Sequence, residues 1–593
     1  MRTGCDNAGL PCAVGRGARK ARLGRAAGRA VVVLPLLAVA CAIEPQPADL
    51  VLSGGVVWTG VPGEPLAEGL AIRRGRIVHV GADREVERFV GPRTGRIALG
   101  GRLVVPGFGD SHVHFMEGGF QLRSVDLRDA ATPAEFTRRI AAFARAQPPG
   151  RWITGGDWDH ELWPGAPLPR REWIDSVTPA HPVFVERLDG HMALANSVAL
   201  RLAGITRATP DPPGGTIVRD PRTGEPTGIL KDNAQALVAR VIPEPTEAER
   251  DEAFRAAQAH ALARGVTMIH DMGTWADLET YRRAHRLGAL VLRIYAFVPL
   301  ATWERLRDYV ATEGTGDRRL RWGGLKGYVD GSLGSTTAWF YRPYDDAPET
   351  SGLLVTDTAR LRSWIRGADA AGLHVAVHAI GDRANDWLLD AFAWAAEQNG
   401  RRDRRFRVEH AQHLTRAAIP RFGRQGVIAS MQPYHAIDDG RWAEKRIGPE
   451  RIRTTYAFRD LLDAGARLAF GSDWTVAPMD PLLGIYAAAT RRTIDGKNPG
   501  GWVPEQKITV EEALRAYTAG VAYAGFAEHE LGTLEPGKRA DLVVLSHNIL
   551  AMDPARIPEA RVDLTLIEGE VVYDRAVAER RTGPAAPAGG VDR

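Results

Sequence analysis

The sequence predicts an α/β protein built on a (β/α)₈ barrel of the TIM type, with an inserted subdomain and a small composite β-sandwich formed by both ends of the chain. Three observations lead to this fold class. Eight short apolar runs end in polar residues, helical patterns lie between them, and glycine-punctuated short strands occur near both ends of the 593-residue chain. Strands that alternate with helices favour a parallel sheet, and eight such units are typical of a closed barrel.

The eight predicted barrel strands share an apolar body and a polar or ionisable end. They are Leu103–His114, Val266–Asp271, Val291–Pro299, Gly323–Asp330, Leu373–His378, Phe406–His410, Val427–Gln432 and Arg467–Asp473. Helical patterns such as Arg360–Ala371 and Asn385–Gln398 separate them. The C-terminal ends of barrel strands surround one mouth, where the active site forms. We therefore expect the polar strand ends to meet.

Composition also divides the chain into domains. The barrel is expected over residues 104–524, with an insertion over about residues 118–262 because the first gap is too long for one helix. Short strands with glycine turns fill residues 41–103 and 525–574, and these two segments are expected to form the composite β-sandwich. The last segment, residues 575–593, is expected to be a disordered tail.

The N-terminal residues 1–40 have the pattern of a secretory signal peptide. They carry seven basic residues and one acidic residue, followed by the apolar run Ala30–Ala40, which is too short to span a bilayer as a helix. The formal net charge of the whole chain is +4, so the remainder is slightly acidic. Nucleic-acid binding therefore loses its electrostatic support.

The end of that signal resembles a bacterial lipoprotein lipobox. The segment is Leu37–Cys41, although Ala38 stands where leucine is usual. It predicts cleavage after Ala40 and acylation of Cys41, and the alternative is ordinary signal cleavage with a free Cys41. We expect a protein exported from a bacterial cytoplasm, periplasmic or extracytoplasmic, and anchored to the membrane through a lipid at Cys41.

The positions of the cysteines narrow the chemistry. They are Cys5, Cys12 and Cys41, so the body of the chain has no thiolate to bind a metal or attack a substrate. Histidines end predicted strands instead. His112 and His114 lie two residues apart after the first strand, so both imidazoles can reach one ion.

Three further strand ends carry residues that bind metals. His378 ends the fifth strand, His410 the sixth and Asp473 the eighth. A single buried histidine is usually a core residue, but four histidines and an aspartate around one mouth are typical of a metal centre. Neutral imidazole suits zinc, so the predicted cofactor is a divalent metal, zinc, as one or two ions.

Lys326 lies in the fourth strand, and lysine is rare in this chain, where only 7 of the 76 basic residues are lysine and the others are arginine. A lysine amine can lose its proton when burial or nearby cations lower its pKa, whereas arginine cannot. A neutral amine can take up CO₂ and become a carbamate that bridges two metals. The alternative is a structural lysine paired with Asp330.

Several of these residues lie in segments that resemble the amidohydrolase superfamily. The segments are DSHVH, the lysine of the fourth strand, VHAIGD, VEHAQH and GSDW. More narrowly, DGSLGS, LDGHMALANS, GEPTGILKDNA and MQPYH resemble the amidohydrolase-3 subgroup, the YtcJ-like hydrolases that include N-substituted formamide deformylase. The resemblance runs from about residue 48 to residue 573 and implies the same barrel and composite β-sandwich.

The resemblance also implies a ligand set for the metals. The implied ligands are His112, His114, Lys326, His378, His410 and Asp473. The first two histidines and the aspartate would bind the more buried ion, and the other two histidines would bind the second. The lysine, as a carbamate, would bridge the ions.

The implied function is hydrolysis of carbon–nitrogen bonds other than peptide bonds, in amides or N-substituted formamides, with Asp473 as general base. His191 and Trp158 in the insertion are the expected substrate contacts. The alternatives are a capping or core role for His191 and simple packing for Trp158. His270 and Asp271 end the second strand and are expected to support the site.

Other functions stay open. The same fold acts on cyclic amides or N-acyl amino acids in one alternative, and in another the chain is a catalytically inactive surface binding lipoprotein. A glycosidase would need paired carboxylates and would leave the histidines unexplained. The expected partner is a small-molecule amide, with no nucleic acid and membrane contact through the lipid anchor. A homodimer is a further open alternative.

Overall fold

An eight-stranded parallel sheet forms the centre of the computed structural model, which describes residues 45–582. Its neighbouring strands follow the order of the chain. They are Phe108–Val113, Val266–Met272, Arg293–Pro299, Leu320–Tyr328, His374–Ala379, Arg407–His410, Ile428–Met431 and Arg467–Phe470. The first and eighth strands meet where the Asp473 amide donates to the His112 carbonyl oxygen at 2.7 Å, and Ser111 Oγ donates to the Ala469 carbonyl oxygen at 3.1 Å. The predicted (β/α)₈ class is confirmed.

Helices follow the barrel strands along the chain and pack around the barrel. They are Phe115–Gln121, Glu247–Leu262, Trp275–Arg286, Trp303–Glu313, Thr358–Ala370, Asp382–Asn399, Ile419–Gln425, Pro433–Asp439, Ala443–Arg451, Phe458–Asp463, Pro481–Thr490, Val510–Tyr517 and Ala519–Ala524. Several begin at a threonine whose hydroxyl accepts from the third helical amide, as Thr246, Thr274 and Thr509 do. Because helices cover one face of the sheet and the barrel interior fills the other, strands such as Val266–Met272 are buried at every position.

The first predicted strand, Leu103–His114, is two strands in different sheets. Leu103–Pro106 belongs to the sandwich, and Phe108–Val113 begins the barrel. Gly107 separates them at a point where a Cβ would meet the Thr267 side chain at 2.2 Å. The expectation of one continuous strand is corrected, since a run that is buried throughout gives no sign of where it changes sheets.

Two sheets drawn from both ends of the chain make the sandwich. One contains Arg76–Gly81, Gly69–Arg73, Leu50–Ser53 and Gly95–Ala98, and the other contains Glu570–Asp574, Val562–Ile567, Leu542–Leu545, Leu103–Pro106, Val56–Trp58 and Leu66–Ala67. In the second sheet Val104 and Val544 are register partners and face the sandwich core, whereas Val105 and Val543 face the barrel core. Successive side chains of each strand therefore pack alternately into the sandwich core and the barrel core. Because both faces are buried, the runs LVVP and LVVL contain no polar residue. A short helix, Asp83–Val86, packs against the first sheet.

The insertion forms a six-stranded mixed sheet. Its strands are Gly215–Arg219, Pro226–Asp232, Met192–Ala195, Phe184–Arg187, Gly155–Trp158 and Val125–Asp126, in that spatial order. Its helices are Pro133–Arg145, Glu172–Asp175, Ser197–Leu202 and Ala236–Ala239. The expected insertion, residues 118–262, was too long, because Glu247–Leu262 contributes Phe254 and Ala257 to the barrel core.

Short 3₁₀ helices complete the connections, at Glu87–Phe89, His160–Leu162, Leu300–Thr302, Ile452–Thr454, Pro504–Gln506 and Pro554–Glu559. The expectation of a disordered tail over residues 575–593 is corrected for its first part. Arg575–Thr582 is a helix, and Arg575 Nη2 lies 2.8 Å from Asp563 Oδ1. Within residues 45–582 no helix has the length and apolarity needed to cross a bilayer. The predicted signal peptide and Cys41 lie outside the described residues.

Candidate metal centre and active site

Three predicted ligands converge at the barrel mouth. His112 and His114 end the first strand and begin the next turn, and Asp473 follows the eighth strand. The Nε2 atoms of His112 and His114 lie 3.4 and 3.3 Å from Asp473 Oδ1. Zinc bonds of ~2.0–2.1 Å in a tetrahedron place neighbouring ligand atoms about 3.3 Å apart. The two histidine-to-carboxylate distances therefore match those between tetrahedral ligands, one donor atom of each of the three residues lies within 4.8 Å of the others, and imidazole and carboxylate donors fit zinc.

A buried carboxylate fixes the orientation of His112. Glu409 Oε2 lies 2.5 Å from His112 Nδ1, and Arg407 Nε donates to Glu409 Oε1 at 2.7 Å, with all three side chains fully buried. Burial alone would raise the pKa of Glu409, but Arg407 and His112 hold it well below its usual range. The ionised Glu409 keeps the proton of His112 on Nδ1, so the Nε2 lone pair faces Asp473.

His112 itself stays neutral over the physiological range. Burial, followed by the nearby Lys326 charge, lowers the pKa of His112 to about 4. Neutral imidazole is the form that binds metal. His112 is therefore ready to bind an ion without first losing a proton.

Sequence reasoning gave Glu409 and Arg407 no role at the metal centre. The available signal was the pair of charged residues at alternate positions of the predicted sixth strand. Two residues at that spacing point to the same side of a strand, and the strand Arg407–His410 is buried at every position. A charged pair in such a place needs a partner, which here is a metal-ligand histidine.

Lys326 is buried beside the first ligand pair. Its Nζ lies 3.0 Å from His112 Nε2, and burial lowers the pKa of Lys326 to about 8 despite the opposing charges of Glu409 and Asp473. The alternative partner Asp330 accepts backbone N–H groups of Trp339, Ile380 and Gly381 at 2.7, 3.0 and 2.8 Å. Lys326 therefore faces the candidate metal site, and Asp330 orders the chain around the fifth strand.

Asp473 is ionised and held in an unusual backbone conformation. Burial would raise its pKa, but His112, His114 and His410 hold the pKa of the carboxyl well below its usual range. Its φ of 56° lies in the left-handed region, which aspartate tolerates better than most residues. The Asp473 amide donates to the His112 carbonyl oxygen and so fixes the carboxylate against its partner. Strain of this kind is typical of functional sites.

His378 and His410 lie next to each other, with ring centres 4.5 Å apart. His378 Nε2 lies 3.1 Å from the Gly331 carbonyl oxygen, and His410 Nδ1 lies 2.9 Å from Gln432 Oε1. Each histidine therefore has one nitrogen held by an acceptor and one left to bind an ion. His410 Nδ1 is 3.8 Å from Asp473 Oδ2.

A further histidine, His435, belongs with His410 and Asp473. One donor atom from each of the three lies within 4.8 Å of the other two. His435 lies in the helix Pro433–Asp439 that follows the seventh strand. This histidine belongs to the MQPYH segment, and the sequence alone assigns it no role because the direction of its side chain depends on how that helix packs.

These groups open into a cavity of about 430 Å³, the size of a small-molecule site. His191 lines it, with Nδ1 2.7 Å from Asp232 Oδ1 and its ring centre 5.3 Å from that of His378. His191 therefore lies in the cavity wall, and its contact with a substrate stays a prediction. The insertion therefore supplies the wall that faces the barrel mouth.

Trp158 does not have the expected role. Its side chain is fully buried in the core of the insertion, where Nε1 donates to the Val185 carbonyl oxygen at 2.9 Å and the ring packs against Phe136 and Trp163. The expected substrate contact is therefore corrected to a packing residue. A tryptophan buries its large ring where an apolar core is available, and the insertion provides one.

His270 and Asp271 support the site as expected. Asp271 Oδ1 accepts the Phe115 amide at 2.8 Å, directly after His114, and Asp271 Oδ2 accepts the Tyr281 hydroxyl at 2.9 Å. Arg407 Nη1 lies 2.9 Å from His270 Nδ1. The second strand thus orders both the turn that carries His114 and the cation that holds Glu409.

The barrel and the histidine and aspartate donors at its mouth have the arrangement typical of metal-dependent hydrolases. The amidohydrolase family model matches residues 96–573, and the chain belongs to that family. The resemblance seen in the sequence is confirmed. The metal-centre residues all lie inside the matched range.

Individual relatives match over most of the chain. It is 43% identical to Protein LONG AFTER FAR-RED 3 of Arabidopsis thaliana over 84% of this chain and 88% of the relative. It is 33% identical to YtcJ of Bacillus subtilis (strain 168), over 88% and 99%, and 29% identical to N-substituted formamide deformylase of Arthrobacter pascens, over 89% and 99%. Among solved structures, an uncharacterized metal-dependent hydrolase from Pyrococcus horikoshii OT3 matches with a TM-score of 0.69 and 30% identity, over 85% and 99%.

Proposed function

We propose that this chain hydrolyses carbon–nitrogen bonds other than peptide bonds, in substrates of the amide or N-substituted formamide type, with zinc as its metal. The observation that carries the proposal is the convergence of His112 and His114 on Asp473, at distances of 3.4 and 3.3 Å, beside the cavity that His114 and Asp473 line. The substrate class is supported by the similarity, over 89% of this chain, to a relative named N-substituted formamide deformylase.

The metal would supply a nucleophile at neutral pH by lowering the pKa of water toward ~7, and would polarise the substrate carbonyl. The residues of the chain hold the metal, orient the substrate and move the proton. His112 presents a neutral nitrogen donor, and Glu409 keeps it in the tautomer that can donate. His114 presents a neutral nitrogen once the incoming metal has displaced its proton. The insertion forms one wall of the cavity, and His191 lies on that wall. In this proposal His191 would contact the substrate.

Asp473 moves the proton. Its Oδ1 faces the two histidines, and its Oδ2 is free of backbone hydrogen bonds in the described part of the chain and faces the cavity side near His410. The carboxylate accepts the proton of the attacking water and then delivers it to the leaving nitrogen, which departs as a neutral amine. One aspartate thus replaces a separate base and acid.

Lys326 is proposed to act as a carbamate. A neutral amine and CO₂ give a carbamate anion and one proton, so the buried cation becomes a bidentate oxygen ligand next to His112. The location supports this, because Lys326 Nζ lies 3.0 Å from His112 Nε2 and Asp330 is occupied elsewhere. Protein equilibrated with ¹³C-bicarbonate and zinc is expected to show a carbamate carbon resonance. Lys326→Arg should lose it, and Lys231→Arg, the matched control, should keep it.

The test of the proposed function is a substrate panel with zinc-loaded protein. N-formyl amines and N-acyl amines are expected to be hydrolysed, with activity lost to a chelator and restored by zinc. Preference for cyclic amides or N-acyl amino acids would correct the substrate class. If no carbon–nitrogen substrate responds while the metal site is filled, the chain is a binding protein and the proposal falls.

The catalytic role of Asp473 needs a separate variant. Asp473→Asn is expected to lower kcat by at least a hundredfold, because general acid–base catalysis contributes about 10²–10⁴-fold. Metal content is measured in the same sample. Activity near that of the unaltered protein, with metal retained, would refute the role.

We also propose that the protein is exported and held at the membrane by a lipid on Cys41, and that its partner is a small-molecule amide. The support is the sequence pattern of residues 1–41. An anchored hydrolase would meet small substrates that enter from outside the cell.

A further inference from the structure

A hairpin of the insertion lies beside the barrel mouth. It is formed by the antiparallel strands Phe184–Arg187 and Met192–Ala195, and its turn, residues 188–191, lines the cavity. The turn begins the segment LDGHMALANS, from which the chemistry proposed above uses only His191. Asp189, two residues earlier, has no part in that chemistry.

The Asp189 carboxylate joins this turn to the barrel. Its Oδ1 accepts the His191 amide at 3.2 Å. Its Oδ2 accepts the Ser332 hydroxyl at 2.6 Å and lies 3.4 Å from Ser335 Oγ. Both serines belong to the segment DGSLGS, residues 330–335, which follows the fourth barrel strand. One carboxylate therefore contacts both the backbone that carries His191 and a loop of the barrel.

Arg187 keeps the Asp189 carboxylate charged and in place. Its Nη1 lies 2.8 Å from Asp189 Oδ2, and the Arg187 side chain is 2% exposed. Burial would raise the pKa of Asp189, but Arg187, ahead of His191, lowers it to about 2. Gly334 leaves space for the arginine, since a Cβ at this glycine would lie 2.5 Å from Arg187 Nη1. The barrel loop and the insertion strand are therefore shaped to fit each other.

Two further polar links join the insertion to the barrel. Lys231 Nζ donates to the Ser335 carbonyl oxygen at 3.0 Å. Asp159 accepts from Arg187 Nη2 at 3.0 Å and from Arg441 Nη2 at 2.9 Å, and Arg441 lies after the seventh barrel strand. The insertion is thus bound to two barrel loops, one after the fourth strand and one after the seventh.

The insertion also has apolar cores of its own. Two apolar clusters are built entirely from side chains within residues 125–242. The links to the barrel are hydrogen bonds and ion pairs, and a hydrogen bond weakens steeply when its angle is distorted. The apolar cores therefore stabilise the insertion, whereas the polar links are suited to fix its position against the barrel.

We propose that Asp189 is a positioning residue for substrate binding, because it couples His191 to the barrel loop of residues 330–335. The two walls of the cavity then keep one geometry around a bound substrate. The inference rests on the function proposed above, in which His191 contacts the substrate. The coupling itself can be measured without a substrate.

The first experiment asks whether Asp189 acts through His191. Asp189→Asn, His191→Gln and the variant that carries both changes are compared on one N-formyl amine that the unaltered zinc-loaded protein hydrolyses. Each single change is expected to raise KM about tenfold with kcat within about threefold, since a misplaced His191 and a missing one lose the same contact. The variant with both changes should lose no more than His191→Gln alone. Zinc content, measured in each sample, should stay at the unaltered level.

The second experiment needs no substrate and keeps the Asp189–Arg187 pair intact. Ser332→Ala removes the shortest link from the barrel side, and hydrogen–deuterium exchange of the metal-free full chain is followed by mass spectrometry. Amides in residues 188–195 and 330–337 are expected to exchange about tenfold faster, because both segments lose the same contact, while the strand Val266–Met272 keeps its rate. Asp129→Asn is the matched control in the insertion, since the Asp129 side chain is 79% exposed, and it should change neither segment.

Three results would overturn the proposal. They are losses that multiply when both changes are combined, unchanged exchange of residues 188–195 in Ser332→Ala, and exchange that rises equally throughout the barrel in that variant. Failure of the proposed function looks different. In that case no carbon–nitrogen substrate is hydrolysed, yet exchange in the two segments still rises together, so the coupling stands and serves another reaction.

Discussion

Replacement of Glu409 by glutamine tests whether a residue that does not bind the metal controls metal binding. Glu409 Oε2 contacts His112 Nδ1 at 2.5 Å, and Oε1 accepts from Arg407 Nε at 2.7 Å, with all three side chains fully buried. In Glu409→Gln one oxygen remains, so either His112 or Arg407 keeps an acceptor and the other loses it. The buried Arg407 charge also loses its counter-charge.

The expected size follows from those contacts. Removing one partner of a buried ion pair costs about 3–5 kcal/mol. Because Glu409→Gln retains one oxygen as an acceptor, we expect its unfolding free energy to fall by about 3 kcal/mol. Loss of the carboxylate that orients a ligand histidine lowers metal affinity about 10–100-fold, which corresponds to about 1.4–2.7 kcal/mol. Both effects should appear in the same variant because one carboxylate serves both groups.

The assay is zinc titration of the metal-free protein together with denaturant unfolding. Glu304→Gln, at an exposed position in the helix Trp303–Glu313, is the matched control and should leave both quantities unchanged. Glu409→Gln with zinc affinity within twofold of the unaltered protein would refute the argument. Loss of stability alone would mean that the Arg407 pair supports the barrel and not the metal.

Three other predictions concern pH, packing and attachment. Burial would lower the pKa of His114, but Glu117 and Asp473 raise it to about 9 in the metal-free protein. Zinc must therefore displace the proton of His114, so the affinity of the protein for zinc should rise about tenfold per pH unit from about pH 6 to about pH 9 and then level off. A zinc affinity that does not change with pH in calorimetric titration would contradict this. Trp158→Ala should lower the unfolding free energy by about 3–5 kcal/mol, because it empties a packed core, while KM stays within twofold; a large KM change with intact stability would restore a substrate role. Cys41→Ser should move the protein from the membrane fraction to the soluble fraction, and unchanged membrane association would argue against the lipid anchor.

The barrel and five of its site residues could be predicted because their signals are local. Alternation of apolar strands and amphipathic helices is visible along the chain, and the ends of parallel strands must meet in a closed barrel. His112, Lys326, His378, His410 and Asp473 all end or follow such strands, and the structure brings their side chains to one mouth.

The residues that were missed depend on contacts between distant segments. His435 lies on a helix, and only the packing of that helix turns its ring toward His410. Trp158 was expected to line the cavity, but it is buried in an apolar core built from other segments of the insertion, including the strand that holds Val185. Neither the direction of the His435 ring nor the burial of Trp158 can be predicted from the spacing of nearby residues.

The extent of each unit was equally a matter of tertiary contacts. The run Leu103–His114 reads as one strand, yet its first part pairs with Leu542–Leu545 and its second part pairs with Val266–Met272. A continuous apolar run is compatible with any sheet that is buried on both faces. The partner strand decides the register, and the partner lies more than 400 residues away in one case.

By itself, the sequence determined the class of fold, the residue types available for chemistry and the position of most donors at strand ends. These follow from local periodicity and from the lack of cysteine after residue 41. The tertiary structure alone decided which donors face one another, which of the two oxygens of Asp473 meets which histidine, and that Glu409 holds His112 in place. Distances of 2.5–3.8 Å between side chains from separate strands depend on how the whole barrel closes, and no pattern along one strand contains them.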